Sequence, residues 1–315
     1  MTNTPNLRVL FCGTPEFALP SLRTLKESRH TLVGVVTVPD KPQGRGRQVA
    51  PSPVKELAIS WGIEPWQPEE LDANEFLASV RRAAPDIIIV VAFRILPEAL
   101  YEIPRFGAVN LHASLLPAYR GAAPIARALM DGCTETGVTT FQIARTVDTG
   151  GILTQKHVAV LTSDNAGTLG RKLADIGADL VLETLQGLAS GTLTSKPQDD
   201  ALATRAPKLT ADDRPIRWQE PAQKSHNRVR ALAPAPGATV RRTGKMLKVL
   251  ETEYRNTPVH EEPGTILNLP DERGIAAATG QGVLILRKLQ PEGKAVMAAE
   301  AYLRGNPVTP DERLE

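Results

Sequence analysis

Residues 87–91 read Ile87-Ile88-Ile89-Val90-Val91, five β-branched side chains with nothing polar between them. A strand points alternate side chains to opposite faces, so a strand of this composition must be covered on both. That requirement is met in the middle of a parallel sheet with helices above and below it. The neighbouring chain agrees. Short β-type runs occur at 7–12, 31–38, 107–112 and 138–144. Between and after them, apolar residues recur at helical spacing, as with Phe17, Leu19, Leu22 and Leu25. Further helices are predicted at 54–61, 73–83 and 165–188; the last carries Leu169, Leu173, Ile176, Leu180, Leu185 and Leu188 on one stripe. Strands alternating with helices predict an α/β domain, a doubly wound and mostly parallel sheet of Rossmann-like type.

The pattern changes near Gly191. Residues 191–215 are polar and aperiodic, as a linker would be. After a helix predicted at 222–232, strand-like runs follow at 239–242, 246–251, 264–269, 274–278 and 283–289. Short strands separated by turn residues predict a small β-barrel, for which an OB-like barrel is a candidate. The expected organisation is a catalytic domain over 1–190, a linker over 191–215 and an OB-like C-terminal domain over 216–315.

Composition narrows the chemistry. Cys12 and Cys133 are the only cysteines, which fits neither a disulfide framework nor a tetrahedral metal site. Five scattered histidines form no ligand spacing, so no metal is expected. No stretch is apolar enough to span a membrane, and residues 1–6 lack a signal-peptide pattern, so a cytoplasmic protein is expected. The first strand is followed by Gly13-Thr14-Pro15-Glu16-Phe17, where a dinucleotide site would place three glycines. Two of those glycines are missing and Pro15 removes a backbone donor, which argues against a nicotinamide cofactor.

The chemical residues cluster at the fourth predicted strand. Asn110 and His112 are two apart in Asn110-Leu111-His112-Ala113-Ser114-Leu115-Leu116-Pro117, so a strand would present both on one face. A carboxamide able to donate to an oxyanion, beside an imidazole able to move a proton, is equipment for acyl transfer. Asp148, in Asp148-Thr149-Gly150-Gly151 beyond the next strand, is expected at the same sheet edge as a partner for His112.

These segments resemble the 10-formyltetrahydrofolate-dependent formyltransferases, and most closely their branch acting on methionyl-tRNA. The resemblance rests on Asn110, His112, Ser114-Leu115-Leu116-Pro117, Arg120-Gly121-Ala122-Ala123-Pro124-Ile125 and Asp148-Thr149-Gly150. It extends to Gly13-Thr14-Pro15-Glu16-Phe17-Ala18, Pro39-Asp40-Lys41-Pro42, Gly44-Arg45-Gly46, Pro51-Ser52-Pro53-Val54-Lys55-Glu56-Leu57, Glu135-Thr136-Gly137-Val138-Thr139, His226-Asn227, Arg230-Ala231-Leu232 and Leu303-Arg304-Gly305. It implies transfer of a formyl group from 10-formyltetrahydrofolate to the α-amino group of initiator methionyl-tRNA, by a monomer. Asn110 would stabilise the oxyanion, His112 would move protons and Asp148 would orient His112. The folate would lie along Ser114, Leu115, Leu116 and Pro117 and against Arg94, Ile95 and Leu96. Many members carry Tyr-Gly and one more residue before Ile-Leu-Pro, where this chain has the shorter Phe93-Arg94. It also lacks the Trp that commonly separates the two prolines of Ala233-Pro234-Ala235-Pro236-Gly237.

Recognition of tRNA is expected from two basic segments. Residues 39–55 hold Lys41, Arg45, Arg47 and Lys55 against Asp40 alone, and glycines flank Arg45. The resemblance places this stretch at the acceptor end of the tRNA and carries that role to Arg45; Lys41 and Arg47 are expected to bind tRNA with it. Residues 217–248 hold eight cations against Glu220, in a chain whose net charge is only +2, and so predict a phosphate-tracking face. The alternatives are a formyltransferase acting on a small amine, such as an aminosugar nucleotide or glycinamide ribonucleotide, and a 10-formyltetrahydrofolate hydrolase. A catalytically silent RNA-binding module would have no use for Asn110, His112 and Asp148 together.

Overall fold

The structure is a computed structural model that describes residues 5–43, 48–269, 273–309 and 312–315. It divides into two compact units. The first comprises Met1–Ala122, Glu135–Ala159 and Gly170–Ala206; the second comprises Ala123–Thr134, Val160–Leu169 and Pro207–Glu315.

The first unit is built on strands β1 (Arg8–Gly13), β2 (Thr31–Val36), β5 (Ile87–Val91), β6 (Ala108–His112), β7 (Glu135–Gln142) and β8 (Ile152–Ala159). Strands β3 (Lys41–Gln43) and β4 (Gln48–Ala50) form a separate antiparallel pair. Helices α1 (Leu19–Glu27), α2 (Pro53–Ser60), α3 (Asn74–Ala83) and α4 (Glu98–Tyr101) lie between the strands, and most of α6 (Ala166–Ser190) follows β8. The sheet order is β2-β1-β5-β6-β7-β8. The first four strands are parallel, and β7 and β8 are antiparallel to their neighbours.

The apolar run over 87–91 is β5, every residue of which is buried. It pairs with β1 on one side and β6 on the other. One face of its surroundings packs Leu10, Cys12, Ile88 and Val90 with Phe76, Leu77 and Val80 of α3. Cys12 is fully enclosed there, and burial pushes its thiol well above the ordinary thiol range, so it acts as an inert apolar filler. On α6, Thr184 bonds Thr140 of β7 through their hydroxyls at 2.7 Å, satisfying two buried polar groups at once.

Sequence periodicity locates most of these elements, with boundary shifts. The strand expected at 138–144 runs over Glu135–Gln142, and β8 was not anticipated. Short α4 and α5 (Pro124–Met130) were also missed, because too few turns exist for apolar periodicity to register. The stretch 191–215, expected as a linker, is hydrogen-bonded instead. Lys196 and Ile152 exchange both backbone bonds, and Arg120 and Ala206 join through N–H to C=O at 2.7 Å. Backbone pairing of this kind leaves no apolar signature in a polar segment.

The second unit contains α5, α7 (Ala222–Leu232), β9 (Ala238–Arg242), β10 (Lys245–Arg255), β11 (Ile266–Leu267), β12 (Ile275–Ala278), β13 (Val283–Pro291), β14 (Met297–Ala298) and α8 (Ala299–Gly305). The strands form an antiparallel sheet in the order β11-β12-β13-β10-β9, with β14 on β13. Residues 312–315 join its two edges. Arg241 and Glu315 exchange backbone bonds at 2.7 and 2.9 Å on the β9 side. Ile266 N–H reaches the Glu312 carbonyl, and Leu314 N–H reaches Gly264, on the β11 side. The curled, barrel-like sheet thereby has its edges covered, which removes a template for intermolecular pairing. Leu314 is buried in the same core as Trp218, Val240, Leu247 and Leu286. Glu312 accepts from Arg242 Nε at 2.6 Å and Nη2 at 3.0 Å in a buried bidentate pair.

This closure makes two predictions. Leu314→Ala should destabilise the protein by about 2–5 kcal/mol in chemical denaturation, the range for emptying a buried leucine site; a change below half of that would mean the last residues do not seal the core. The hydrogen bonds from Arg242 hold the Glu312 carboxyl below its ordinary value of 4.5. The unfolded chain therefore takes up this proton first, and the pair stabilises fully above that value and progressively less as pH falls through the lower, folded one. The stability gap between wild type and Glu312→Gln should be widest above about pH 5 and shrink as pH falls below the ordinary value; a gap independent of pH would contradict it.

Candidate active site

β6 owes its position to β5, and it carries Asn110 and His112 at alternate positions, hence on one face of the sheet. Leu111, between them, is turned to the other face and is buried. Asn110 is partly exposed, and its carboxamide makes no hydrogen bond among the described residues. Its N–H groups are open to a ligand. His112 is buried, with its ring edge-on to Phe141 at 6.4 Å between centroids.

The imidazole is fixed by the main chain. His112 Nε2 lies 2.9 Å from the carbonyl oxygen of Tyr119. A carbonyl can only accept, so Nε2 carries a proton and donates it. Nδ1 is then the nitrogen that faces Asp148, whose Oδ2 is 3.9 Å away. That separation is too long for a hydrogen bond but close enough for a charged ring to feel the carboxylate. Orientation of the ring therefore comes from Tyr119, a contact that sequence reading missed because backbone carbonyls carry no residue code.

Asp148 reaches His112 by a route other than the expected one. β7 runs antiparallel to β6, so Gln142 at its end pairs with Val109 at the start of β6, away from His112. The loop 143–151 folds back to bring Asp148 to the imidazole. Gly150 makes this possible: a Cβ there would lie 1.6 Å from the Gln142 carbonyl oxygen. Asp148 itself has φ of 57°, and Tyr119 and Ala92 have φ of 60° and 48°. Left-handed non-glycine residues are costly and persist where surrounding contacts hold them. Asp148 Oδ2 accepts from Gly121 N–H at 2.8 Å. Gly121 has φ of 126°, and a Cβ on it would lie 2.6 Å from the Ala206 carbonyl oxygen.

The Ser114-Leu115-Leu116-Pro117 turn follows β6 directly. It is pinned from beneath by Thr139 of β7, which donates to Ser114 O at 2.6 Å and accepts from Leu116 N–H at 3.1 Å. Gln155 donates to Leu116 O, and Ser114 Oγ donates to Ala118 O. Ser114 and Leu116 are buried, while Leu115 and Pro117 are half-buried. Most backbone polar groups of the turn are thus already paired, and it offers a ligand mainly apolar surface.

The 93–97 segment divides its residues by role. Ile95 is 74 % exposed, whereas Leu96 belongs to the core at 5 %. Arg94 sends its two Nη groups to the carbonyls of Glu69 and Pro68 at 2.8 and 2.7 Å and stacks on Phe93. It braces the segment, leaving Ile95 as the side chain free to meet a ligand. Lys41 lies on β3; Arg45 and Arg47 fall outside the described residues. Among the described residues no cluster of His, Cys, Asp and Glu is placed to hold a metal ion, and no helix is long and apolar enough to cross a membrane.

Of the expected catalytic residues, Asn110, His112 and Asp148 are brought together. Sequence reading did not assign site roles to Tyr119, Gly121, Gln198 or Arg120; Tyr119 bonds His112, Gly121 bonds Asp148, Gln198 bonds the Asp148 loop and Arg120 bonds Gln198. Arg120 and Gly121 were visible within a motif; Gln198 lies in a polar stretch that gave no signal.

Comparison with known proteins agrees with this geometry. The family described as formyl transferase matches residues 6–185, and the formyl transferase C-terminal domain matches residues 208–307. A methionyl-tRNA formyltransferase of Moorella thermoacetica is 42 % identical over 309 residues, covering 98 % of this chain and 99 % of its own. Among solved structures, HypX from Aquifex aeolicus in complex with tetrahydrofolic acid has a TM-score of 0.65 at 18 % identity, covering 95 % of this chain; the chain spans about half the length of HypX, 47 %. The sugar 3N-formyl transferase WlaRD has a TM-score of 0.65 at 16 % identity, covering 92 % of this chain and all of its own. Those two likenesses show the fold. With a family match over more than half its length and a relative this similar from end to end, the chain belongs to the formyl transferase family.

Proposed function

We infer that this protein transfers the formyl group of 10-formyltetrahydrofolate to the α-amino group of initiator methionyl-tRNA. The observation that carries the reading is end-to-end similarity, across both units, to relatives named methionyl-tRNA formyltransferase. The open Asn110 carboxamide beside a fixed imidazole supplies the matching chemistry. The amine adds to the formyl carbon, a new C–N bond forms, and the bond from that carbon to N10 of the folate breaks. Asn110 donates to the formyl oxygen as it gains negative charge. The α-amino group has a reference pKa of about 8, so neutralising it near pH 7 is a modest demand. His112 Nδ1, its lone pair directed away from the Tyr119 contact, takes the amine proton. Asp148 favours the charged ring that results, and the proton passes on to the departing folate nitrogen.

For the folate we propose the apolar shelf of Leu115, Pro117 and Ile95. Arg94, Leu96, Ser114 and Leu116 act on it as scaffold or through the main chain. For the tRNA, we assign the acceptor end to Lys41, Arg45 and Arg47 in the first unit and phosphate contacts to the second. There the structure narrows the candidates among the eight cations of 217–248. Arg242 is spent on Glu312, Arg228 bonds Glu220 and the Asp213 carbonyl, and Arg230 bonds Asn227 and the Leu161 carbonyl. Lys224, Arg241 and Lys245 remain exposed, and they are our choice for phosphate contact. This reading places the protein in the cytoplasm as a monomer that needs no metal.

The assay is formyl transfer from 10-formyltetrahydrofolate to charged initiator tRNA, with folate alone as control. Asn110→Ala and His112→Ala should each lose about 10²- to 10³-fold or more in turnover while keeping the wild-type melting transition. Near-normal turnover in both would sink the site assignment, and formate release without tRNA would replace the transferase by a hydrolase. Arg45→Ala should raise KM for tRNA and leave KM for folate alone; an unchanged KM for tRNA would remove this segment from recognition. Charge reversal at Lys224, Arg241 and Lys245 together should flatten the salt dependence of tRNA binding by roughly three counterions' worth of slope. An unaltered slope would place the phosphate contacts elsewhere.

A further inference from the structure

We propose that Gln198 is a positioning residue that sets where the Asp148 carboxylate stands relative to His112; the proposal rests on the functional reading above. The Gln198 carboxamide uses both its ends on the catalytic loop. Nε2 donates to the carbonyl of Asp148 at 2.9 Å and to that of Gly150 at 2.8 Å. Oε1 accepts from Arg120 Nε at 3.0 Å and Nη2 at 2.7 Å. Carbonyls only accept and a guanidinium only donates, so this is the orientation that satisfies all four bonds.

The arrangement ties both members of the pair to three consecutive residues. Tyr119 O holds His112 Nε2, and Gly121 N–H holds Asp148 Oδ2. Arg120, between them, grips the main chain of the Asp148 loop through Gln198. Arg120 is anchored in turn by Asp200, by its N–H to Thr204 O and by its C=O from Ala206 N–H. Asp148 sits in a left-handed conformation that an aspartate adopts at some cost, and among the described residues its carboxylate accepts one hydrogen bond, from Gly121. The two bonds from Gln198 to the carbonyls at 148 and 150 span that strained turn. Without them the main chain at 148 and 150 loses two of the bonds that hold it, and the 3.9 Å separation of Asp148 Oδ2 from His112 Nδ1 is left to the Gly121 and Tyr119 contacts and the turn's own bonds. A rigid shell around catalytic groups is what precise placement requires, and Gln198 provides it from a chain segment outside the sheet.

The test uses the full-length chain carrying Gln198→Leu or Gln198→Glu, each alone and in an Asp148→Ala background. Glu keeps the partner of Arg120 but cannot donate to the two carbonyls, so it separates a role in the loop from a role in holding Arg120. Both single variants should lose roughly 10-fold or more in kcat, with KM for folate and tRNA within about twofold and an unchanged melting transition. In the Asp148→Ala background the Leu substitution should cost less than about twofold more, since the residue it positions is gone. Crystal structures of wild type and Gln198→Leu should show the 148–150 turn displaced and the Asp148–His112 separation altered. Wild-type kcat in either single variant, full additivity with Asp148→Ala, rescue by Glu or an unmoved turn would each overturn the proposal. If wild type formylated no methionyl-tRNA, the functional reading would fall on its own. The turn's displacement, and formate release from 10-formyltetrahydrofolate, would still decide the role of Gln198.

Discussion

Burial of β5 on both faces and along both edges is the constraint from which the catalytic unit follows. Its five β-branched residues have no polar side to turn to water, so β1 and β6 must pair with it and helices must cover it. Placing β6 beside β5 fixes which residues stand at the end of the next strand. Alternation along β6 then puts Asn110 and His112 on one face and Leu111 on the other. The candidate residues thus stand on a strand beside a fully buried one, where a strand cannot slip register without exposing its apolar side.

What holds His112 and Asp148 in place by hydrogen bonds is mostly main chain. Tyr119 fixes the imidazole through a carbonyl, Gly121 fixes the Asp148 carboxylate through an N–H, and Gln198 fixes the Asp148 turn through two carbonyls. Backbone partners suit this task because they are already held by the fold and have no rotamer to lose. The left-handed residues Tyr119 and Asp148 show that the arrangement is bought with local strain, balanced by bonds to 196–206. A segment without apolar periodicity therefore contributes to the geometry of the candidate site through its hydrogen bonds.

The second unit spends its charges differently from what their number suggests. Of eight cations between 217 and 248, Arg242 is buried against Glu312, and Arg228 and Arg230 brace helix α7 against neighbouring loops of the same unit. A guanidinium with several directed donors is well suited to such bracing. The Arg242 pair also secures residues 312–315, which cover both edges of the sheet. Charge counted along a sequence overstates charge available to a phosphate backbone, because several of these cations are already paired within the unit.

The sequence by itself determined the fold class, the central strand, the candidate acyl-transfer pair and the family, because side-chain periodicity and rare residue combinations are written in the residues. Asn110 and His112 were legible as neighbours on one face, since a strand's period of two is a local rule. The position of Asp148 was not, because it depends on β7 running antiparallel to β6 and on a loop that doubles back over Gly150. Leu96 reads as pocket in sequence and is core in the structure; its exposure is decided by α3 and α4 packing around it. Tyr119 and Gln198 were invisible for a related reason. Their roles lie in hydrogen bonds with partners 7 and 50 residues away, and only tertiary structure brings such distant polar groups within 3 Å of each other.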